Sequence, residues 1–457
     1  MKCRRNFMAQ LKRIKPTTIF VSLALCFGII AAIIMPVASA PDETYHFNNS
    51  FNIFFENEAM TKNLSKTSSQ QTLLGAKDLF AIRNTNIAGS ADDLYKTSLT
   101  RKVTQLKHSR FRLSLNRQNL IHLPQALGIL IAYFIYPSYG LMFIFGRLCN
   151  LFFYTGLIYV AIKKSAFGKL PIALIALLPI SIQQAASLSY DTSLFASVFL
   201  VFSLMTNIWK NNFKISRKWW LYLPLILLGL YLTKKSALIM LALIFTVPVT
   251  FFRNQKLKKA LEAVWNFCNK YKWLVGVGMI MGSFLVFRFL FTNYGGFMRW
   301  LHIMFNTYFV TWINTNLDPI VVSGMVGSFG ALTYRLPEWL IILTFVVMSW
   351  IMLSDEKIKL DNRVVFISSC IFIFNILITG TMMYKGWTGG VGNVSIGEQG
   401  RYYTPFLIFL LPLFMKLSES IKLEIKPWHR EVLTFTISFI NLFLFVVLTV
   451  LFWFTKG

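Results

Sequence analysis

Charge is what this sequence has least of. Only 14% of its 457 residues are charged and Asp and Glu together number 18, against 55% hydrophobic and 16% aromatic residues. So little polar side chain cannot coat several soluble domains, and the surplus apolar surface has to face lipid. Cysteine is scarce too. Cys3, Cys26, Cys149, Cys268 and Cys370 fall in apolar runs or in basic segments, with no pair at metal-binding spacing, so neither a disulfide framework nor a zinc site is indicated. Internal repeats are also lacking.

What the sequence does contain is a succession of apolar runs separated by short basic loops. A helix needs about 20 mostly apolar residues to cross the hydrocarbon core, and about eleven runs are long enough. They lie near 17–37, 139–162, 169–186, 192–208, 219–233, 236–252, 272–292, 337–353, 364–384, 405–418 and 432–454. The expected fold is all-α: a single polytopic membrane domain over 17–457 after a basic cytoplasmic N-terminus, 1–16, with external loops 39–119 and 293–336. The apolar stretch from Leu120 to Tyr136 is bracketed by Pro124 and Pro137, and counting it as a span would put Lys163 and Lys164 outside. It reads as an interfacial or half-buried helix. Ala38-Ser39-Ala40 resembles a signal-cleavage site, but the run from Thr17 is span-length and Pro41 would occupy the first mature position, so the first helix is expected to stay.

Lys and Arg in short loops set the orientation. Lys2, Arg4, Arg5, Lys12, Arg13 and Lys15 precede the first span, Lys163, Lys164 and Lys169 follow the second, and Lys210, Lys214, Arg217 and Lys218 follow the fourth. Arg253, Lys256, Lys258 and Lys259 follow the sixth. All fall on one side, which is therefore cytoplasmic, in a multi-pass protein of the plasma membrane. The net charge of +28 is then topological signal plus affinity for anionic lipid, and a nucleic-acid partner is not expected.

Polar residues outside the membrane gather at a few points on the opposite face. Pro41-Asp42-Glu43 and His46 stand at the exit of the first span. A carboxylate at an apolar boundary is partly desolvated and suits a base; the alternative is that the pair caps the next helix. Asp191 lies in the tight turn between the third and fourth spans, again a candidate acid or a cap. Lys234 and Lys235 place two cations in a short external turn, against the topological rule, to hold a phosphate or to snorkel to headgroups. Lys102, Lys107, Arg110, Arg112 and Arg117 make the end of the first loop basic. Arg147 and Arg288 are intramembrane arginines, expected to face the bundle interior or to pair with a carboxylate or helix-end carbonyls. The last external loop is rich in glycine and ends in Glu398, Gln399, Arg401 and Tyr402, an acid, an amide, a phosphate fork and an aromatic face in one stretch.

Pro41-Asp42-Glu43 with His46-Phe47, His122-Leu123-Pro124, Gly146-Arg147-Leu148, Thr233-Lys234, Gly327-Ser328-Phe329-Gly330 and Gly397-Glu398-Gln399-Gly400-Arg401-Tyr402 occur in that order. Together they resemble a family of bacterial polytopic membrane proteins of unknown function, itself similar to the GT-C glycosyltransferases, from about Ala31 to Phe414. The resemblance implies an enzyme that transfers a sugar, with inversion, from a polyprenyl-phosphate donor to a cell-envelope glycan, lipid or wall polymer such as teichoic acid. It implies Asp42 or Glu43 as base or metal ligand, supported by Asp191, and Lys234 and Arg401 at the lipid phosphate; Lys235, Arg288, Gln399 and Tyr402 are further candidates for holding the donor. His46, His122 and Glu398 are candidate substrate contacts, and Mg or Mn across Asp42 and Asp191 is a possible cofactor. The family's last motif departs here in carrying Glu398 at its second position. A lipid-linked glycan transporter or a glycan ligase is the competing expectation; the transporter would want repeats and polar residues through the midplane.

Overall fold

The computed structural model describes residues 15–56, 98–100, 102, 110–210, 219–232, 234–247, 255–291, 295–421 and 427–455. The basic residues before Lys15, along with Lys107, Lys214, Arg217, Lys218 and Arg253, lie outside them.

The first half of the chain builds the centre of an all-α bundle. Helix α1 (Pro16–Ile34) opens on proline, whose missing N–H has no helical partner at that position anyway. Helix α2 (Glu43–Phe51) follows a turn at the end of α1. Helix α3 (Leu123–Ile135) and α4 (Tyr139–Lys164) form a tight hairpin. Gly128 makes the approach possible, because a Cβ there would lie 2.1 Å from the Phe145 carbonyl oxygen. Ala126, Ile129 and Ala132 of α3 are buried while Leu127, Ile131 and Phe134 are exposed, the half-buried helix its composition suggested.

The third expected span, 169–186, is not one helix. It is split into α5 (Lys169–Ala176) and α6 (Pro179–Ala185). Pro179 has no N–H to continue the ladder and restricts the residue before it, so the helix breaks at Leu177 and Leu178. Broken backbone at this depth is tolerated only inside protein, and every residue from Leu170 to Leu188 is buried. The freed groups find partners. Tyr154 Oη donates to Ala176 O at 2.8 Å, Ser181 Oγ to Ile175 O at 2.8 Å, and Ile180 N to Val326 O at 3.0 Å.

Helix α7 (Asp191–Lys210) packs beside this broken element. Beyond it the expected spans are shorter or irregular: α8 (Trp219–Leu232), with Pro224 inside, then a 3₁₀ helix, Lys235–Thr246. Residues after Arg253, read as a basic loop, carry an amphipathic helix, α9 (Gln255–Lys270), before α10 (Lys272–Phe291). Within the loop 293–336 lies α11 (Gly296–Phe309). Helices α12 (Glu338–Leu353) and α13 (Asn362–Gly386) follow. The tenth expected span is a 3₁₀ helix, Thr404–Leu410, leading into α14 (Leu411–Ser418), and α15 (Pro427–Phe454) closes the bundle. Among the described residues the strands are two minimal antiparallel pairs, Phe55–Glu56 with Arg110–Phe111 and Ser328–Phe329 with Tyr334–Arg335.

Among the described residues, five helices are long and apolar enough to cross a membrane: α1, α4, α7, α13 and the His429–Phe454 part of α15. With the shorter apolar helices around them, they make this a multi-pass, all-α membrane protein. Helix α7 has 20 residues, about 30 Å at about 1.5 Å per residue, matching the hydrocarbon thickness of roughly 30 Å. Its two ends serve as reference points for the two ends of the bundle. At the Lys210 end, Lys210 pairs with Glu356 at 2.7 Å and the Gly168 N–H donates to Asp355 at 2.7 Å. At the Asp191 end converge the turn after α1, the 187–190 turn, Lys234 and the 398–404 segment.

Candidate functional site at one end of the bundle

The site is built on a buried arginine. Arg147, two turns into α4, is 1% exposed and grips Glu43, 0% exposed, with both forks: Nε to Oε1 and Nη2 to Oε2, each 2.7 Å. Its remaining N–H groups donate to the carbonyls of Ala32, Met35 and Pro36, which end α1. Glu43 also accepts from the Leu188 and Ala40 N–H groups. One ion pair thus ties α4, the end of α1, the start of α2 and the 187–190 turn together. The expectation that Arg147 pairs with a carboxylate and helix-end carbonyls describes it fully.

Asp42 has the opposite surroundings. Its backbone is left-handed, with φ 58° and ψ 14°, a conformation Asp tolerates better than most residues. The side chain makes no capping bond to α2, is 51% exposed, and lies 3.5 Å from Arg401 Nη2. The cap that the sequence left open for Asp42 is not formed, and Glu43, sealed against Arg147, has no room to meet a substrate.

Asp191 is set by buried amides. Asn150 Nδ2 donates to Ser187 O at 2.7 Å, Ser189 O at 3.1 Å and Thr192 Oγ1 at 2.9 Å, and Gln125 Nε2 donates to Asn150 Oδ1 at 3.0 Å and to Ser189 O at 3.1 Å. This fixes the turn from which Asp191 starts α7. The Asp191 carboxylate then meets Lys234 Nζ at 2.8 Å on one oxygen and Arg401 Nε at 3.4 Å on the other. The second contact is close without hydrogen-bond alignment, so Nε keeps unused donor capacity. Arg401 Nη1 reaches Gln184 Oε1 at 3.3 Å. Burial works against the Lys234 ammonium, but the Asp191 carboxylate outweighs it and holds Lys234 above the ordinary lysine pKa. The same contest holds Arg401 firmly charged. Lys234 also sits 3.6 Å above the Tyr402 ring, and its side chain keeps 20% exposure.

Beneath Asp42, His46 Nδ1 and His122 Nε2 are 2.9 Å apart, with the Tyr190 ring edge-on to both. Burial first, then the His122 ring and the charges of Arg401 and Lys234, push the His46 pKa well below its ordinary value. One ring nitrogen of this pair donates to the other.

The other expected residues are placed elsewhere. Glu398 Oε2 accepts from Tyr308 Oη and Tyr403 Oη, each at 2.6 Å, and burial raises its pKa despite those bonds. Gln399 is adjacent to the cluster in sequence, and its Oε1 is buried without a hydrogen-bond partner among the described residues. Lys235 opens its 3₁₀ helix, but its side chain is outside the described part. Arg288 does not face the bundle interior. It is exposed on α10, which packs on α9 and α11. A divalent ion across Asp42 and Asp191 does not fit these donors, because both Asp191 oxygens already face cations. Among the described residues no three His, Cys, Asp or Glu side chains are grouped to hold a metal.

Sequence reasoning passed over Gln125, Asn150, Gln184 and Tyr190. The available signal was an uncharged polar side chain inside an apolar run, which membrane helices keep only where it has a partner.

Residues 25–410 match the family model for predicted membrane proteins named DUF2142. The chain belongs to the DUF2142 family. No curated protein and no solved structure matches it. All the paired residues of the DUF2142 site, Asp42, Glu43, Arg147, Asp191, Lys234 and Arg401, lie inside the matched region.

Proposed function

We propose that this DUF2142 chain is a membrane glycosyltransferase of GT-C type, moving a sugar from a polyprenyl-phosphate donor to a cell-envelope acceptor on the external face. The observation that carries the reading is the half-exposed Asp42 carboxylate, 3.5 Å from Arg401, with Lys234 and Asp191 behind it at the membrane boundary. An enzyme working outside the cytoplasm has no nucleotide sugar at hand and needs a lipid-linked donor. The cluster supplies what such a transfer requires.

In this scheme the acceptor oxygen attacks the anomeric carbon in line, with inversion. The bond from that carbon to the phosphate oxygen breaks, its electron pair leaves on the phosphate, and the acceptor proton goes to Asp42. Two carboxylates face two cations in the resting cluster. Neutralising Asp42 frees Arg401 to turn its charge to the departing phosphate, so the stabilisation appears as the negative charge develops. Asp191 keeps Lys234 and Arg401 in place and charged. Glu43 and Arg147 form the support under Asp42, and no step passes through a metal.

The topology goes with this reading: about eleven crossings, with the basic Lys163, Lys164, Lys169 and Lys210 end in the cytoplasm of a cell whose plasma membrane holds the protein. The test is sugar release from a radiolabelled panel of polyprenyl-phosphate sugars by the wild-type chain and Asp42→Asn at matched protein level. Loss of turnover by about 100-fold or more is the expected result for removing a general base. Undiminished turnover in Asp42→Asn removes Asp42 from the chemistry, and no turnover of any donor by the wild type favours a transporter or assembly partner.

A further inference from the structure

A cavity of about 290 Å³ lies between the start of α3, the outer side of α4, α7 and α8. Its size is at the small end of ligand sites, which run from roughly 300 to 1,000 Å³. The walls are hydrocarbon: Leu123 and Pro124 from α3, Phe153 and Leu157 from α4, Ala196 and Leu200 from α7 meet Leu228 and Leu232 from α8. Ser197, which also lines it, spends its hydroxyl on the Ser193 carbonyl of its own helix at 2.7 Å, so it offers the cavity little polarity. The mouth faces the apolar exterior, where Phe153, Leu227 and Leu228 are exposed.

This cavity begins where the charged site ends. Three segments that line it stop within two residues of the cluster: Leu232 before Lys234, Ser193 after Asp191, and Ile121 before His122. From Ser193 to Leu200 it follows α7 for about 10 Å at about 1.5 Å per residue, away from the boundary and into the apolar part of the bundle. Arg117 stacks 4.6 Å over the Tyr231 ring and donates to the Tyr231 carbonyl, joining the segment before α3, which contributes Leu120 to the walls, to α8, which contributes Leu228.

From this arrangement we infer that the groove between α7 and α8 holds the hydrocarbon chain of a single-chain lipid phosphate, which slides in sideways from the bilayer and presents its phosphate to Lys234. The inference rests on the proposed function for the meaning of the phosphate, and adds the place, direction and chain type of the substrate. Charge complementarity selects the occupant. An uncharged lipid would satisfy the walls but make no use of the Lys234 ammonium, which keeps 20% exposure beside Asp191, while a free phosphate would leave the dry groove empty. The narrow volume takes a stretch of one chain. Gly229 lets α8 approach α7 closely at the floor of the groove, since a Cβ there would lie 2.2 Å from Ser197 Oγ.

The experiment uses the full chain in phosphatidylcholine proteoliposomes with a prenyl monophosphate carrying a diazirine near the phosphate end of its chain, and crosslinked residues are read by mass spectrometry. Expected are crosslinks on Pro124, Phe153, Ser197 and Leu228 that excess unlabelled prenyl phosphate competes away. Gly229→Leu, whose side chain would wedge α8 away from α7 at Ser197, and Leu228→Trp, at an exposed mouth position where folding is spared, each lower them about tenfold. Crosslinks spread over lipid-facing residues such as Trp273 and Phe366, or indifferent to both variants, overturn the inference. Competed crosslinks in the groove with no sugar turnover sustain the binding site while sinking the transferase reading; turnover that is intact in both variants does the reverse.

Discussion

Asp42 and Glu43 are neighbours in sequence with opposite surroundings, and the difference decides what each can do. Glu43 has no exposed surface and meets a guanidinium that also takes the carbonyls of Ala32, Met35 and Pro36 at and just after the end of α1. Exposed pairs such as Arg112 with Glu56 or Lys416 with Glu419 add about 0–1 kcal/mol each. Removing one partner of a buried pair leaves an uncompensated charge and costs about 3–5 kcal/mol. Arg147→Met is therefore expected to destabilise the protein by about that amount, with Asp42 losing its position as a consequence. Thermal unfolding in detergent checks it, and a melting curve like that of the wild type would show that the pair does not hold the site together.

At the scale of elements, the site depends on backbones that pass closer than side chains permit. Gly400 crosses Gly324 so tightly that a Cβ on Gly400 would lie 2.2 Å from the Gly324 carbonyl carbon and 2.3 Å from Val321 O. Thr404 fastens the same crossing by donating to Met325 O at 2.9 Å. Arg401 follows directly, so the crossing sets where its guanidinium reaches. Gly400→Ala should push the 398–404 segment outward and reduce turnover by at least about tenfold, equivalent to about 1.4 kcal/mol, while the hairpin of α3 and α4 stays intact. Sugar-release rates and protease resistance of the α3–α4 region measure the two parts. Wild-type turnover in Gly400→Ala would mean that the crossing does not position Arg401. Similar reasoning applies to the break before Pro179, where the free N–H of Ile180 in the first turn of α6 donates to Val326 O and so connects the core to the segment that Gly400 crosses.

For the whole molecule, the two ends of the bundle are chemically different, and that difference carries the topology. One end gathers the Asp42 cluster, and the other carries Lys163, Lys164, Lys169 and Lys210 with the Asp355–Arg430 pair. If basic loops stay inside, Asn393→Cys, exposed near the first end, reacts with a membrane-impermeant maleimide on intact cells, whereas Lys359→Cys, exposed near the second, reacts only after lysis. The reverse pattern would turn the protein over and place the proposed chemistry in the cytoplasm.

Composition and apolar run lengths by themselves determined a multi-pass helical membrane protein, because lipid leaves a chain so poor in charge few alternatives. They located Asp42, Asp191, Lys234 and Arg401 as well, since ionisable residues at span ends are few and each stands out against apolar neighbours. What only the tertiary structure decided was which of these residues meet. Adjacency alone says that Asp42 and Glu43 face different ways, but not which is buried: Arg147, more than a hundred positions along the chain, takes Glu43 and leaves Asp42 half exposed beside Arg401. Run length also could not show that 169–186 is broken or that Arg288 faces outward, because hydropathy averages over a helix and the packing of neighbours fixes its breaks and its rotation. The long-range contacts between Arg401 and both aspartates exist only once the turn after α1, the 187–190 turn and the 398–404 segment have been drawn to one place.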